Sequence, residues 1–251
     1  MMLEKVKNVS YAKLLCFLVF FSFYDEAFAA GESAFSLGAL GIYSNSIYQD
    51  VDAEAQLLPY AAFDNGRFFV KGLIVGYHFS PYLDAAIKYP DTYFDPDDSS
   101  DKNIQRLNER ESGALAKIDL KLGMVKFGLI QDLSGDFDEY SLSSTVTLPL
   151  YKGAFFVTGA VSYVYNSRAL SENKYSVSDT ESLRTGGTIN AYDSARVNEL
   201  RYTLSFIQPF SQRLTLITNL SHTNYDDVVV KSPIVEKDKK TGITAILSYR
   251  F

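Results

Sequence analysis

The chain has 251 residues, with 24 Lys and Arg against 30 Asp and Glu, 18 Tyr, 18 Phe, no Trp and one Cys. The acidic balance argues against a nucleic-acid partner, which requires a basic face. A single Cys rules out a disulfide framework and a Cys-based metal site.

Lys5, Lys7 and Lys13 precede an apolar run from Leu14 to Tyr24, and Ala27-Phe28-Ala29 follows as a small-residue cleavage site. This order reads as a secretion signal over 1–29 with cleavage after Ala29, leaving 30–251 as one domain. A membrane anchor would need roughly 20 apolar residues. This run is shorter and stops at Asp25 and Glu26. Cys16 lies inside the signal, so the mature chain would carry no thiol. After Ala29 no stretch is apolar for long enough to cross a bilayer as a helix, so a membrane role falls to strands.

Segments of alternating apolar and polar residues then recur: Phe35 to Tyr43, Leu83 to Tyr89, Ala114 to Leu122, Leu142 to Leu148, Phe155 to Asn166, Leu200 to Gln208 and Leu214 to Thr223. In Ala114 to Leu122, Ile118, Leu120 and Leu122 share one face and Lys117, Asp119 and Lys121 the other. A soluble sandwich would alternate too. Three features favour lipid as the medium on the apolar side. The segments have the length a tilted strand needs to cross a bilayer. Aromatics crowd their ends, as at Tyr43, Tyr60, Phe79, Tyr82, Tyr89, Tyr140, Tyr163, Tyr165, Phe210 and Tyr225, which suits interfacial girdles. Tight turns at Asp64-Asn65-Gly66, near Gly123, at Lys152-Gly153 and at Phe210-Ser211-Gln212 alternate with long polar loops at Pro90 to Ser112, Ser134 to Glu139, Ser167 to Ser194 and Asp226 to Thr241.

Eleven segments are counted, whereas a bacterial single-chain barrel needs an even number. The miscount falls in Arg67 to Phe79, where Lys71-Gly72 interrupts the pattern, or in Ser167 to Ser194. The expectation is an all-β transmembrane antiparallel up-and-down barrel of 12 strands, with 10 as the alternative. It would sit among lipid and lipopolysaccharide in the outer membrane of a Gram-negative bacterium. The last segment aligns Ile243, Ala245, Leu247, Tyr249 and Phe251 on one face and ends on an aromatic, which resembles the signal read by the barrel-assembly machinery.

The opposite faces put Asp84, Lys88, Lys117, Asp119, Lys121, Lys126, Asp132, Glu199, Arg201 and Arg250 in the lumen. Mixed charges there either line a small pore or pair across the barrel and seal it; pairing is preferred, because a narrow barrel is filled by side chains. Catalytic chemistry has little to work with. Ser221 and His222 are adjacent and so face opposite ways, and His78, between Tyr77 and Phe79, reads as an interface residue. The acidic run Asp95 to Asp101 lacks the glycine and closing Glu of a calcium loop. Thr185-Gly186-Gly187-Thr188 has no strand before it and no helix after, so it is not a phosphate loop. No cofactor and no metal site is expected.

Five short segments, in order, carry a resemblance to a known family: Leu58-Pro59-Tyr60 with Asn65-Gly66-Arg67-Phe68-Phe69, Gln131-Asp132-Leu133-Ser134-Gly135, Tyr175-Ser176-Val177-Ser178, Lys231-Ser232-Pro233-Ile234-Val235, and Leu247-Ser248-Tyr249-Arg250-Phe251. They are similar to the MipA/OmpV family of outer-membrane proteins over nearly the whole mature chain. The family usually has Gly where Ser176 stands, and commonly His where Gln131 stands. The resemblance implies a barrel that acts as a non-enzymatic scaffold, tethering a peptidoglycan hydrolase and synthase. A small diffusion pore and a surface adhesin are the alternatives, and an enzyme comes last.

Overall fold

The computed structural model describes residues 34–133 and 138–251. The expected signal over 1–29 and the Ser134-Gly135 part of one family segment lie outside these residues.

Twelve antiparallel strands close into a barrel in which each strand pairs with its neighbours in sequence. They are β1 (Ala34–Ser44), β2 (Glu54–Asp64), β3 (Phe68–Lys71), β4 (Ile74–Ser80), β5 (Leu83–Lys88), β8 (Leu115–Leu122), β9 (Val125–Asp132), β10 (Tyr140–Lys152), β11 (Phe156–Asn166), β12 (Val197–Pro209), β13 (Leu214–Tyr225) and β14 (Lys239–Arg250). The ring is sealed where β1 meets β14, with Leu37 opposite Tyr249 and Ile42 opposite Thr244. Two further strands, β6 (Thr92–Phe94) and β7 (Arg110–Glu111), form a small separate sheet inside the β5–β8 loop.

The extra strand arises at Lys71-Gly72. Gly72 adopts φ +59°, which a residue with a side chain rarely takes, so the run from Arg67 to Phe79 folds into the β3–β4 hairpin. That hairpin is short and pairs with β2 only from Ala62 to Asp64. Above it the β3 side of β2 has no ladder partner among the described residues. The Ala61 carbonyl accepts from Gly72 on that side, so Pro59, two residues along, turns its missing N–H to the same open edge.

Alternation sorts the faces as expected. Leu37, Val75, Ile118, Leu120, Val146 and Leu247 are among the large apolar side chains left exposed outside. At the short-turn end, Phe35 packs on Phe251, Tyr249 on Phe251, Tyr77 on Phe68 and Phe79, and Tyr151 on Phe155, with centroids 4.8–5.8 Å apart. Two expected girdle residues turn inward instead. Tyr60 packs against the Leu40–Ile42–Ile246 cluster, and Tyr225 joins the core at the opposite end.

The long loops are not loose. They build a cap with its own apolar core, in which Phe94, Ile104, Tyr175, Val177, Val197, Val229 and Ile234 are all nearly inaccessible. Three short helices serve it: α1 (Arg168–Tyr175), α2 (Asp179–Arg184) and α3 (Asp227–Val230). Ser178 caps α2 in a reciprocal box with Glu181, satisfying backbone donors at the helix start. Ser176 sits at φ −76°, so its position demands no glycine. Lys239 to Thr241 belong to β14 rather than to the preceding loop.

Glu181 locks two loops together. It accepts from Asn108 N at 3.0 Å and Arg110 Nη2 at 3.1 Å, while Arg184 donates to Asn108 Oδ1 at 2.7 Å. Burial pushes the Glu181 carboxyl up, but the Asn108 and Ser178 amides and Arg110 outweigh it, and the net shift is downward. The stabilisation is therefore present above the unfolded pKa, near 4.3, and is lost as pH falls through the lowered folded value. Proteolytic nicking of the cap should rise as pH drops below about 4.3. Glu181→Gln should bring that susceptibility to neutral pH, at a local cost of about 1–3 kcal/mol.

Candidate functional site

The lumen divides into an apolar side, where Leu40, Ile42 and Ile246 pack with Leu58 and Ile217, and a polar side carried mainly by β4, β5, β8, β9 and β12. On the polar side, short contacts tie charges into tiers. At the turn end, His78 lies between two carboxylates, with Nδ1 2.7 Å from Asp84 and Nε2 3.3 Å from Asp64, and Lys121 reaches Asp84 at 2.8 Å. The His78 ring rests 4.6 Å from that of Phe69. His78 is thus a lumen residue and not the interface residue expected from its aromatic neighbours. Phe68, Tyr77 and Phe79 alternate with inward Phe69, Gly76 and His78, and a run so rich in aromatics hides its own parity.

Midway, Lys117 pairs with Asp119 at 2.6 Å, and Thr145 shares a 2.8 Å hydrogen bond with Ser162. A Cβ on Gly128 would lie 2.6 Å from Ser143 Oγ and 3.2 Å from Asp119, so glycine makes room for both. Higher still, Glu199 accepts from Asn166 at 2.7 Å and Arg201 at 3.1 Å, and Lys88 holds Asp91. Asp132 accepts from the Gly113 amide at 2.7 Å and so pins the foot of the long β5–β8 loop. Arg250 lies half-buried on the last strand, away from the Glu199–Arg201 pair. Of the terminal face, Ile243, Leu247, Tyr249 and Phe251 are exposed outside, with Ala245 between them.

Beneath the cap these tiers enclose a chamber of about 240 Å³. Its wall carries Lys88, Lys117, Lys126, Lys174, Arg201 and Lys240 against Asp91, Asp119 and Glu199, with hydroxyls from Ser141, Ser143 and Thr203. Lys174, on α1, is the cation no strand pattern could reveal, because a loop helix carries it inward. Its ammonium sits 4.7 Å from the Tyr93 ring centroid. Burial lowers its pKa, opposed by the nearby Glu199 and Asp91 carboxylates. Asp91 was missed for the same reason.

A second surface lies at the short-turn end. The turns between strands cover 65–67, 81–82, 123–124, 153–155 and 210–213 and contain no carboxylate. Arg67 and Arg213 project from them, Lys152 stands at the end of β10, and Tyr82, Met124 and Phe210 are exposed beside them. The rim is cationic and apolar. Ser221 and His222 do face opposite ways. Ser221 Oγ donates to the Gly242 carbonyl, while His222 contacts Thr241 and Asn224.

Removing the central carboxylate of the His78 tier should be costly, because Lys121 and His78 would both lose it. Asp84→Asn should lower the urea midpoint of the folded barrel in detergent, with a loss of about 1–3 kcal/mol. An unchanged midpoint would show that this tier contributes nothing to stability.

The profile of a family described as MltA-interacting protein MipA matches residues 37–251. The MltA-interacting protein of Escherichia coli K12 is 27% identical over 235 residues, covering 89% of this chain and 92% of the relative. The putative outer membrane protein YiaT of the same organism is 22% identical over 231 residues, covering 89% and 93%. Among solved structures, an outer membrane channel from Pseudomonas putida F1 aligns with a TM-score of 0.38 and 9% identity, over 90% of this chain and 97% of that one. The closed sheet and its register, not that distant likeness, define the fold.

Proposed function

The chain belongs to the MipA family and is an outer-membrane β-barrel, and from that premise we propose that it is a non-enzymatic scaffold that tethers a murein hydrolase and synthase at the inner face of the outer membrane. The relative named MltA-interacting protein is named for a protein partner, which suggests the class of partner. The observation that carries the reading is the turn-end rim, whose Arg67, Lys152 and Arg213 stand among exposed aromatics with no carboxylate in the turns. Short turns mark the periplasmic side of such barrels, so this rim faces the compartment where murein enzymes work. It suits a partner surface with acidic groups around an apolar centre.

The cap supports a scaffold over an open diffusion pore. Its apolar core stands at the outer mouth, where a wetted path for ions would have to pass. The assembly machinery is proposed to read the outward Ile243, Ala245, Leu247, Tyr249 and Phe251 face. A leader over 1–29 is proposed to direct export, and sequencing the protein from outer membranes should give Ala30 as the first residue.

Crosslinking in intact cells followed by mass spectrometry tests the tether, with an unrelated barrel of similar abundance as control. Murein hydrolases and synthases should be recovered specifically. Recovery should fall at least tenfold, about 1.4 kcal/mol, in a variant combining Arg67→Glu, Lys152→Glu and Arg213→Glu that still migrates as a folded barrel. Equal recovery from the variant would discard the rim, and failure to recover any murein enzyme would discard the scaffold.

A further inference from the structure

The chamber beneath the cap has features that neither stability nor tethering at the far rim requires. Its wall carries six cationic side chains against three carboxylates among the described residues, so its field favours an anion. Lys88, Lys117 and Arg201 each have a carboxylate at 2.5–3.1 Å. Among the described residues Lys174 makes no ion pair within 4.0 Å, and its ammonium is held against the face of Tyr93. Asp91, also on the wall, is 6% exposed; Lys88 occupies its Oδ2, and its Oδ1 is buried out of reach of a guest. A lysine ammonium with no direct ion pair on the wall of a polar chamber is open to an anionic guest.

We propose that this chamber binds a small carboxylate that also carries hydroxyl groups, with Lys174 receiving the carboxylate and the wall hydroxyls of Ser141, Ser143 and Thr203 meeting those of the guest. A singly charged group fits better than a phosphate, because Asp91, Asp119 and Glu199 line the same wall and would repel a second negative charge. The volume of about 240 Å³ suits a small molecule rather than a polymer. Serine and threonine hydroxyls on the wall provide further donors and acceptors for a hydroxylated guest. The site stands on its own geometry and does not depend on the tether.

Sodium glucuronate is the probe, with glucose as its neutral counterpart and inorganic phosphate as a plain anion. Each is titrated calorimetrically into the full folded barrel in detergent, and each is also added during refolding so that a closed cap cannot mask binding. Saturable binding of glucuronate, at least tenfold tighter than glucose and phosphate, is expected. Lys174→Met keeps the stem on Tyr93 and removes the charge; it should weaken glucuronate at least tenfold. Lys231→Met, on the outside of the cap, should leave binding unchanged. No glucuronate binding at 10 mM by either route, binding no tighter than glucose or phosphate, or an unaltered affinity in a folded Lys174→Met barrel would each overturn the assignment.

Discussion

In a lipid environment no water is at hand to bond the backbone, and every strand N–H and C=O must find a protein partner. Closure of the sheet where β1 meets β14 satisfies that demand. It also forces each strand to show one face to lipid and one to the lumen. Everything else in the molecule follows from that partition: the aliphatic exterior, the paired charges within, and the need to finish both ends of a tube. The β2 edge above the short β3–β4 hairpin is the exception. There Pro59 removes one donor from the open side, which reduces the number of groups left to satisfy.

The two ends are finished differently. At the turn end the strands are joined by two to four residues, leaving a rim of backbone, aromatics and three cations. At the other end the loops carry enough apolar residues to bury one another, and the tube acquires a lid with a core of its own. Ser232 Oγ donates to the Tyr175 carbonyl at 2.6 Å, and Tyr48 bridges to Val235, so segments far apart in sequence hold the lid shut. Function is thereby separated by position, with protein contacts proposed on the open rim and a small anion proposed in the chamber below the lid.

The family segments acquire physical meaning in this light. Tyr175-Ser176-Val177-Ser178 supplies two core residues and the N-cap of α2. Lys231-Ser232-Pro233-Ile234-Val235 supplies the hydroxyl that holds Tyr175 and two more core residues. Asp132 ties the β5–β8 loop to the top of β9. These are the parts that make this barrel a capped one, whereas the alternating strands are common to any barrel.

From sequence alone came the barrel, its twelve strands and the outward apolar faces, because a period of two and the spacing of turns are local properties that a strand cannot hide. The doubt over Arg67 to Phe79 was local as well, and Gly72 resolves it as a hairpin tip. Only the tertiary structure placed His78 between Asp64 and Asp84, turned Tyr60 and Tyr225 inward, and folded the polar loops into a cap. It alone brought Lys174 and Asp91 to one chamber, since loop residues obey no period and their direction is set by the contacts they make with distant segments.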